Sequence, residues 1–329
     1  MTARLPKVEN ISFPPFRPPG ERTKRSLGGD EEMKHLLKNK TAKFVATLII
    51  LLLLVAEAAE SCTLWAATGS ATSGNITILA KNRDWKPTQK HYLRKVTPTQ
   101  GYSYVGLFAV DENGSGLKAG VNEKGLAVVT ATVSVVPKDK RKTKDKDALS
   151  SHKILTSFSS VDEVLANLDR FKRVSFYMIA DKEKIAVVEV APGGKNTVRV
   201  VDDGFIAQTN HYISPKMQRY NIKIPSSSKT RYERIISLLQ AKAGNLTMED
   251  FVAFSNDQSA GPDESIFRTG SSPKRSQTVA QWIIAIPKGD SPRLYVTMKD
   301  PGKPFRAFSG ALEPTFWRGD VAKAAKVDG

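Results

Sequence analysis

The sequence predicts an α+β fold of antiparallel sheets covered by helices, and three patterns carry that reading. Short apolar or β-branched runs bounded by turn residues recur after residue 75. They come in consecutive pairs, as hairpins do. Helical spacings with caps fall between groups of strands rather than after every strand.

The elements follow in order. Residues 76–84 (ITILAKNRD), 102–110 (YSYVGLFAV) and 117–120 read as strands. Asn122-Glu123-Lys124-Gly125 is a turn cluster, and the β-branched run 126–136 (LAVVTATVSVV) closes a hairpin across it. Ser160 and Glu163 have the spacing of a capping box and open a helix over 161–168, with Val161, Val164, Leu165 and Leu168 on one face. Strands at 175–180, 185–190, 197–201 and 205–208 form a second meander. A helix over 231–243 carries Ile235, Ile236, Leu238 and Leu239 and ends near Gly244, and Thr247 to Asp250 caps a third that runs through Phe254. Strands at 281–286 and 293–298, joined through 287–290, complete the pattern. No internal repeat is visible.

The only cysteine, Cys62, lies just past an export-type segment. Residues 44–56 (FVATLIILLLLVA) are apolar, Lys34, Lys38, Lys40 and Lys43 precede them, and small residues follow around Glu57 and Glu60. That is the layout of a secretory signal. Ala59 and Ser61 stand at −3 and −1 relative to Cys62, so a single cut leaves Cys62 as the first residue. A permanent span needs ~20 apolar residues, and Glu57 and Glu60 stop this run short; Glu60 also spoils a lipoprotein junction. Pro14, Pro15, Pro18, Pro19 and Gly28 to Glu32 read as a disordered leader. The expected organisation is therefore a removable leader, 1–61, and one domain, 62–329, with an exported location.

Composition narrows the chemistry. The formal net charge is +17, and the leader, with ten basic and seven acidic residues, accounts for little of it. The densest basic run, 138–147, is interrupted by aspartates and lacks interleaved aromatics, so it reads as a solvated loop rather than a nucleic-acid surface. A lone cysteine forms no internal disulfide, which leaves an inert, intermolecular or reactive thiol. There is no metal-ligand spacing, phosphate-binding glycine loop or dinucleotide fingerprint, so no cofactor is implied. His91 and His152 lie in polar stretches and read as surface.

A cysteine with its own free α-amine holds nucleophile and base in one residue. A free α-amine titrates at ~7.7–8.0 and a free thiol at ~8.5, so the pair is nearly matched at neutral pH. Five motifs follow in order: Cys62 to Trp65, Ala80 to Trp85, Gly120 to Leu126, Thr209 to Tyr212, and Ser226 to Arg234. Together, from Cys62 to about Phe308, they resemble the N-terminal-nucleophile (Ntn) hydrolases of the choloylglycine hydrolase and acyl-coenzyme A:6-aminopenicillanic acid acyltransferase group.

The resemblance implies a four-layer αββα sandwich and an amidohydrolase or acyltransferase that forms an acyl-thioester from a linear, non-peptide amide. It implies Cys62 as nucleophile, Asp84 as the carboxylate holding the Cys62 amine, Asn210 as an oxyanion donor and Arg231 as the arginine ordering the thiolate region. Lys81 stands where many relatives place arginine, with Arg83 a compensating cation. Thr132 stands where bile-salt-type members carry asparagine, which favours the acyltransferase-like branch, with bile-salt or penicillin acylase-type specificity as the alternative. Trp65, Trp85 and Tyr212 offer walls for an acyl group. The implied partners are a small acyl-amide and signal peptidase, with maturation by that enzyme or by self-cleavage; homo-oligomerisation stays open. The competing reading is a membrane-tethered, non-catalytic binding protein on the same fold.

Overall fold

The computed structural model describes residues 61–111 and 114–318. They belong to one compact unit. The apolar run 44–56 lies outside the described residues, among which no helix is long and apolar enough to cross a membrane.

In chain order the strands and helices are β1 (Ser61–Thr68), β2 (Thr77–Trp85), β3 (Lys90–Val96), β4 (Tyr104–Asp111), β5 (Gly114–Asn122), β6 (Ala127–Ala131), α1 (Ser151–Ser157) and α2 (Val161–Leu165). Then come β7 (Phe176–Ala180), β8 (Ile185–Val190), β9 (Asn196–Val201), β10 (Gly204–Gln208), α3 (Ser226–Lys242), α4 (Met248–Ser255), α5 (Gly261–Glu264), β11 (Gln277–Ile286), β12 (Arg293–Lys299), β13 (Phe305–Ala311) and α6 (Pro314–Arg318). A six-stranded sheet runs β10-β1-β2-β11-β12-β13 and a seven-stranded sheet runs β3 to β9 in sequence order.

Four layers follow from side-chain alternation. Cys62, Leu64 and Ala66 of β1 and Leu79 of β2 meet Val105, Leu107, Val121 and Val129 of the other sheet in a core between the sheets. Trp65, Ala67, Ile78 and Ala80 face the opposite way, under Ile235 and Leu239 of α3 and Phe251 and Phe254 of α4. Ile154 and Leu155 of α1 and Val161 and Val164 of α2 cover Val128, Ile179 and Val188 on the outside of the seven-stranded sheet. The expected α+β sandwich of antiparallel sheets is the fold observed.

Several elements differ from the sequence reading for identifiable reasons. The run 126–136 leaves the sheet after Ala131, because the Thr132 carbonyl accepts from Asn210 Nδ2 at 2.9 Å and Ser134 N donates to the Asn210 carbonyl at 3.0 Å. The second meander splits: β9 ends the seven-stranded sheet, whereas β10 pairs with β1 in the other. α1, β3 and β13 carry too little periodicity to be read from sequence. The helix expected over 161–168 ends at Leu165, and its capping box is shared out. Ser160 Oγ accepts from Glu163 N, but the Glu163 carboxylate accepts from Ser159, and Asp181 takes Val161 N. Thr247 and Asp250 do form a reciprocal box at the start of α4. The 138–147 segment is an exposed loop with one short 3₁₀ turn.

Candidate active site

β1 places Cys62 between the sheets, 3 % exposed, with Ser61 still attached in the same strand. Antiparallel pairing sets Ser61 opposite Asp84, Cys62 opposite Arg83, Thr63 opposite Asn82 and Leu64 opposite Lys81. Opposed residues in such a ladder share a face, so two groups form on the two sides of β1 and β2. The register of β2 against β1 is unbroken, which puts Lys81 and Arg83 on the Cys62 face.

That inner face is cationic. Lys81 Nζ reaches the seven-stranded sheet and donates to the carbonyls of Lys118 (2.8 Å) and Thr130 (2.6 Å). Burial pushes its pKa down to about 7, against the attraction of Cys62 and reinforced by Arg83 and Lys118. Arg83 donates to His91 Nε2 at 3.1 Å and to Gln89 Oε1, and lies over the Trp85 ring at 4.5 Å. His91 is thus not a surface residue as its polar neighbourhood suggests. β3 carries it inward, and burial with the Arg83 charge holds it down to about 3.

The outer face gathers Asp84, Asn210 and Arg231. Buried residues Ser228, Arg231, Ile235 and Leu239 recur on one side of α3, the side laid on the sheet. From there Arg231 donates to the Cys62 carbonyl (2.8 Å), Thr63 Oγ1 (2.7 Å), Ser61 Oγ (2.9 Å) and Asn210 Oδ1 (2.9 Å), so one guanidinium grips both sides of the Ser61–Cys62 bond. Asn210 Oδ1 also accepts from the Cys62 backbone N at 3.0 Å, and its Nδ2 donates to the Thr132 carbonyl. Asn210 N donates to Ser228 Oγ at 2.9 Å, and His211 Nδ1 sits 2.8 Å from the same hydroxyl. His211 is held down to about 4 by burial and then by Arg231.

Asp84 is fully buried and accepts from Thr278 Oγ1 at 2.7 Å, while its Oδ2 has no hydrogen-bond partner. With Ser61 attached, the Cys62 nitrogen is a peptide amide and binds Asn210, not Asp84. Thr132 meets the site through its backbone carbonyl. Of the offered acyl walls, Trp65 is core on the helix side of β1, away from Cys62, and Tyr212 is core against Phe176 with its hydroxyl on the Val190 carbonyl. Trp85, at the end of β2, stays half-buried. The sequence reading missed Ser228, Thr278 and Arg268. Ser228 lies in the serine run already singled out, whereas nothing in the local sequence marks the other two.

Residues 71–303 match the profile of the acyl-coenzyme A:6-aminopenicillanic acid acyl-transferase family. This chain belongs to that family. No curated protein matches significantly. Among solved structures, a cysteine-to-alanine variant of the conjugated bile acid hydrolase from Clostridium perfringens superposes with a TM-score of 0.52 and 16 % identity, covering 81 % of this chain and 97 % of that one. An arginine-to-leucine variant of the same hydrolase gives 0.48 and 16 %, covering 75 % and 92 %. The first likeness is one of fold, the Ntn-hydrolase sandwich.

Proposed function

We propose that the protein is an exported cysteine amidohydrolase or acyltransferase that cleaves a linear, non-peptide C–N amide through an acyl-thioester on Cys62. The observation that carries this is the sole cysteine of the chain held on β1, with its nitrogen on Asn210 and its carbonyl on Arg231. Cys62 Sγ attacks the amide carbonyl carbon, its proton passing to the α-amine once Ser61 is gone. The tetrahedral oxyanion receives an N–H from Asn210 Nδ2, which has two hydrogens and commits one to Thr132. The C–N bond breaks as the amine leaves with the relayed proton, and water or a second amine resolves the thioester. Asp84 Oδ2, opposite the Ser61 position, takes the new ammonium. The Lys81 and Arg83 charges face the thiol, and Trp85 borders the acyl group.

Maturation at Ser61–Cys62 has two routes. Both residues are 3 % exposed within a paired strand, so signal peptidase would have to act before folding, and a cut in the folded chain would be intramolecular. The apolar run 44–56 with its preceding lysines supports export.

Intact mass and N-terminal sequencing of the protein from its native compartment, with a screen of N-acyl amides, tests the reading. A chain starting at Cys62 that turns over an acyl-amide, with turnover lost in Cys62→Ala at unchanged circular dichroism, is expected. A chain still blocked ahead of Cys62, or an active Cys62→Ala, overturns it in favour of a tethered binding protein.

A further inference from the structure

A buried arginine with unsatisfied donors is bonded through its backbone to Thr278, the residue that hydrogen-bonds Asp84, and none of the five motifs includes it. Arg268 is 7 % exposed, and its Nε and Nη1 have no hydrogen-bond partner among the described residues. Its backbone is locked to Thr278 in both directions: Arg268 N donates to Thr278 Oγ1 at 2.8 Å, and Thr278 N donates to the Arg268 carbonyl at 2.8 Å. The same Thr278 hydroxyl then donates its proton to Asp84 Oδ1 at 2.7 Å.

The register makes this possible. β11 pairs with β2 through Thr278↔Asp84 and then Ala280↔Arg83, so the extra residue of a β-bulge lies at Val279. A bulge of this kind re-aims a side chain. Here it sets the Thr278 hydroxyl on the face of Asp84.

Asp84 has a problem that this arrangement answers. A carboxyl removed from water favours its neutral form, and a neutral carboxyl cannot hold an ammonium. Burial does push Asp84 above the usual carboxylate range; Arg268 is the strongest opposing influence, followed by Arg231, the Thr278 hydrogen bond and Arg83. Thr278 of β11 and Arg231 of α3 lie on its side of the sheet, with Ser61 opposite on β1 and Arg268 in the loop before β11; Arg83 and Lys81 project from β2 to the other, Cys62 side. Among the described residues Asp84 makes no direct ion pair, so the arginine acts at a distance in a dry interior, where charges are weakly screened.

We propose that Arg268, anchored by its backbone on Thr278 next to the bulge, is a positioning residue that keeps Asp84 ionised so that it can hold the Cys62 α-ammonium. This rests on the amine-holding role given to Asp84 above. The test reads Asp84 itself: the protonated-carboxyl infrared band that vanishes in Asp84→Asn is followed against pH. In Arg268→Gln the midpoint of that band rises by one pH unit or more; Arg268→Lys restores it, and Thr278→Val raises it as well. These variants should fold, because a buried carboxyl deprived of its cation can take up a proton. A midpoint unmoved in Arg268→Gln, or a shift that Arg268→Lys does not restore, overturns the proposal. Failure of the underlying role shows separately: iodoacetamide alkylation of the lone thiol in the processed protein would then be the same in Asp84→Asn as in wild type.

Discussion

Asn210 is a single side chain with three jobs. Its Oδ1 accepts from Cys62 N and Arg231 Nη2, and its Nδ2 donates to the Thr132 carbonyl, so it ties β1, α3 and the segment after β6 together at Cys62. Asn210→Ala removes the proposed oxyanion donor and leaves these partners short. Turnover is expected to fall by roughly 10²–10³-fold with KM changed little, and stability by about 2 kcal/mol. Steady-state kinetics on the acyl-amide found in the screen and urea unfolding check both. Loss of KM alone, with kcat kept, would assign Asn210 to ground-state binding. The amide's residue type and its place in Thr-Asn-His were legible in the sequence. Its bond to Cys62 N was not, because that partner lies 148 residues away.

At the scale of the element, hairpin β5–β6 shows a motif whose side-chain bonds hold the turn and anchor it to a helix. Asn122 Oδ1 accepts from Lys124 N and Leu126 N inside the turn, and Gly125 adopts φ +83°, where a side chain is strained. Asn122 Nδ2 reaches out to the Leu155 and Phe158 carbonyls at the end of α1. The turn was readable from its residues, but the helix anchor was not, since α1 shows too short an apolar pattern. This turn packs near Ile286, at the end of β11 away from Thr278. Asn122→Ala should therefore cost about 2–3 kcal/mol of unfolding free energy, three buried hydrogen bonds and one part-buried one being lost, while the kcat of the folded enzyme stays within twofold. A large kcat loss in the folded variant would place this hairpin in the site after all.

The whole molecule couples burial to pH through two histidines. His91 and His211 sit at about 3 and about 4 in the folded chain, against ~6.5 when unfolded. Between pH 6.5 and 4 the unfolded state binds more protons than the folded one, so stability falls as pH falls through that window. The loss by pH 4 is on the order of 3 kcal/mol for His91 and less for His211, which is the more solvent-screened of the two. Urea midpoints at pH 7 and 4.5 should diverge in the wild type and converge in a His91→Gln, His211→Gln variant; an equal divergence in both would trace acid sensitivity to other groups.

What the sequence determined by itself was local: strand and helix runs, the Thr247 cap, the Asn122 turn, a lone thiol behind an apolar segment, and a family signature dispersed over five short motifs. Those readings depend on neighbours within a few residues, and periodicity carries them. The tertiary structure decided the rest. It split the second meander between two sheets, turned 132–136 out of the sheet to meet Asn210, buried His91 against Arg83, and brought Thr278, with Arg268 bonded behind it, to Asp84 through a bulge 194 residues along the chain. Each of these is a pairing between distant strands or a polar group finding its partner after burial. Such pairings are set by which donors and acceptors lose water together, and a linear pattern does not encode that.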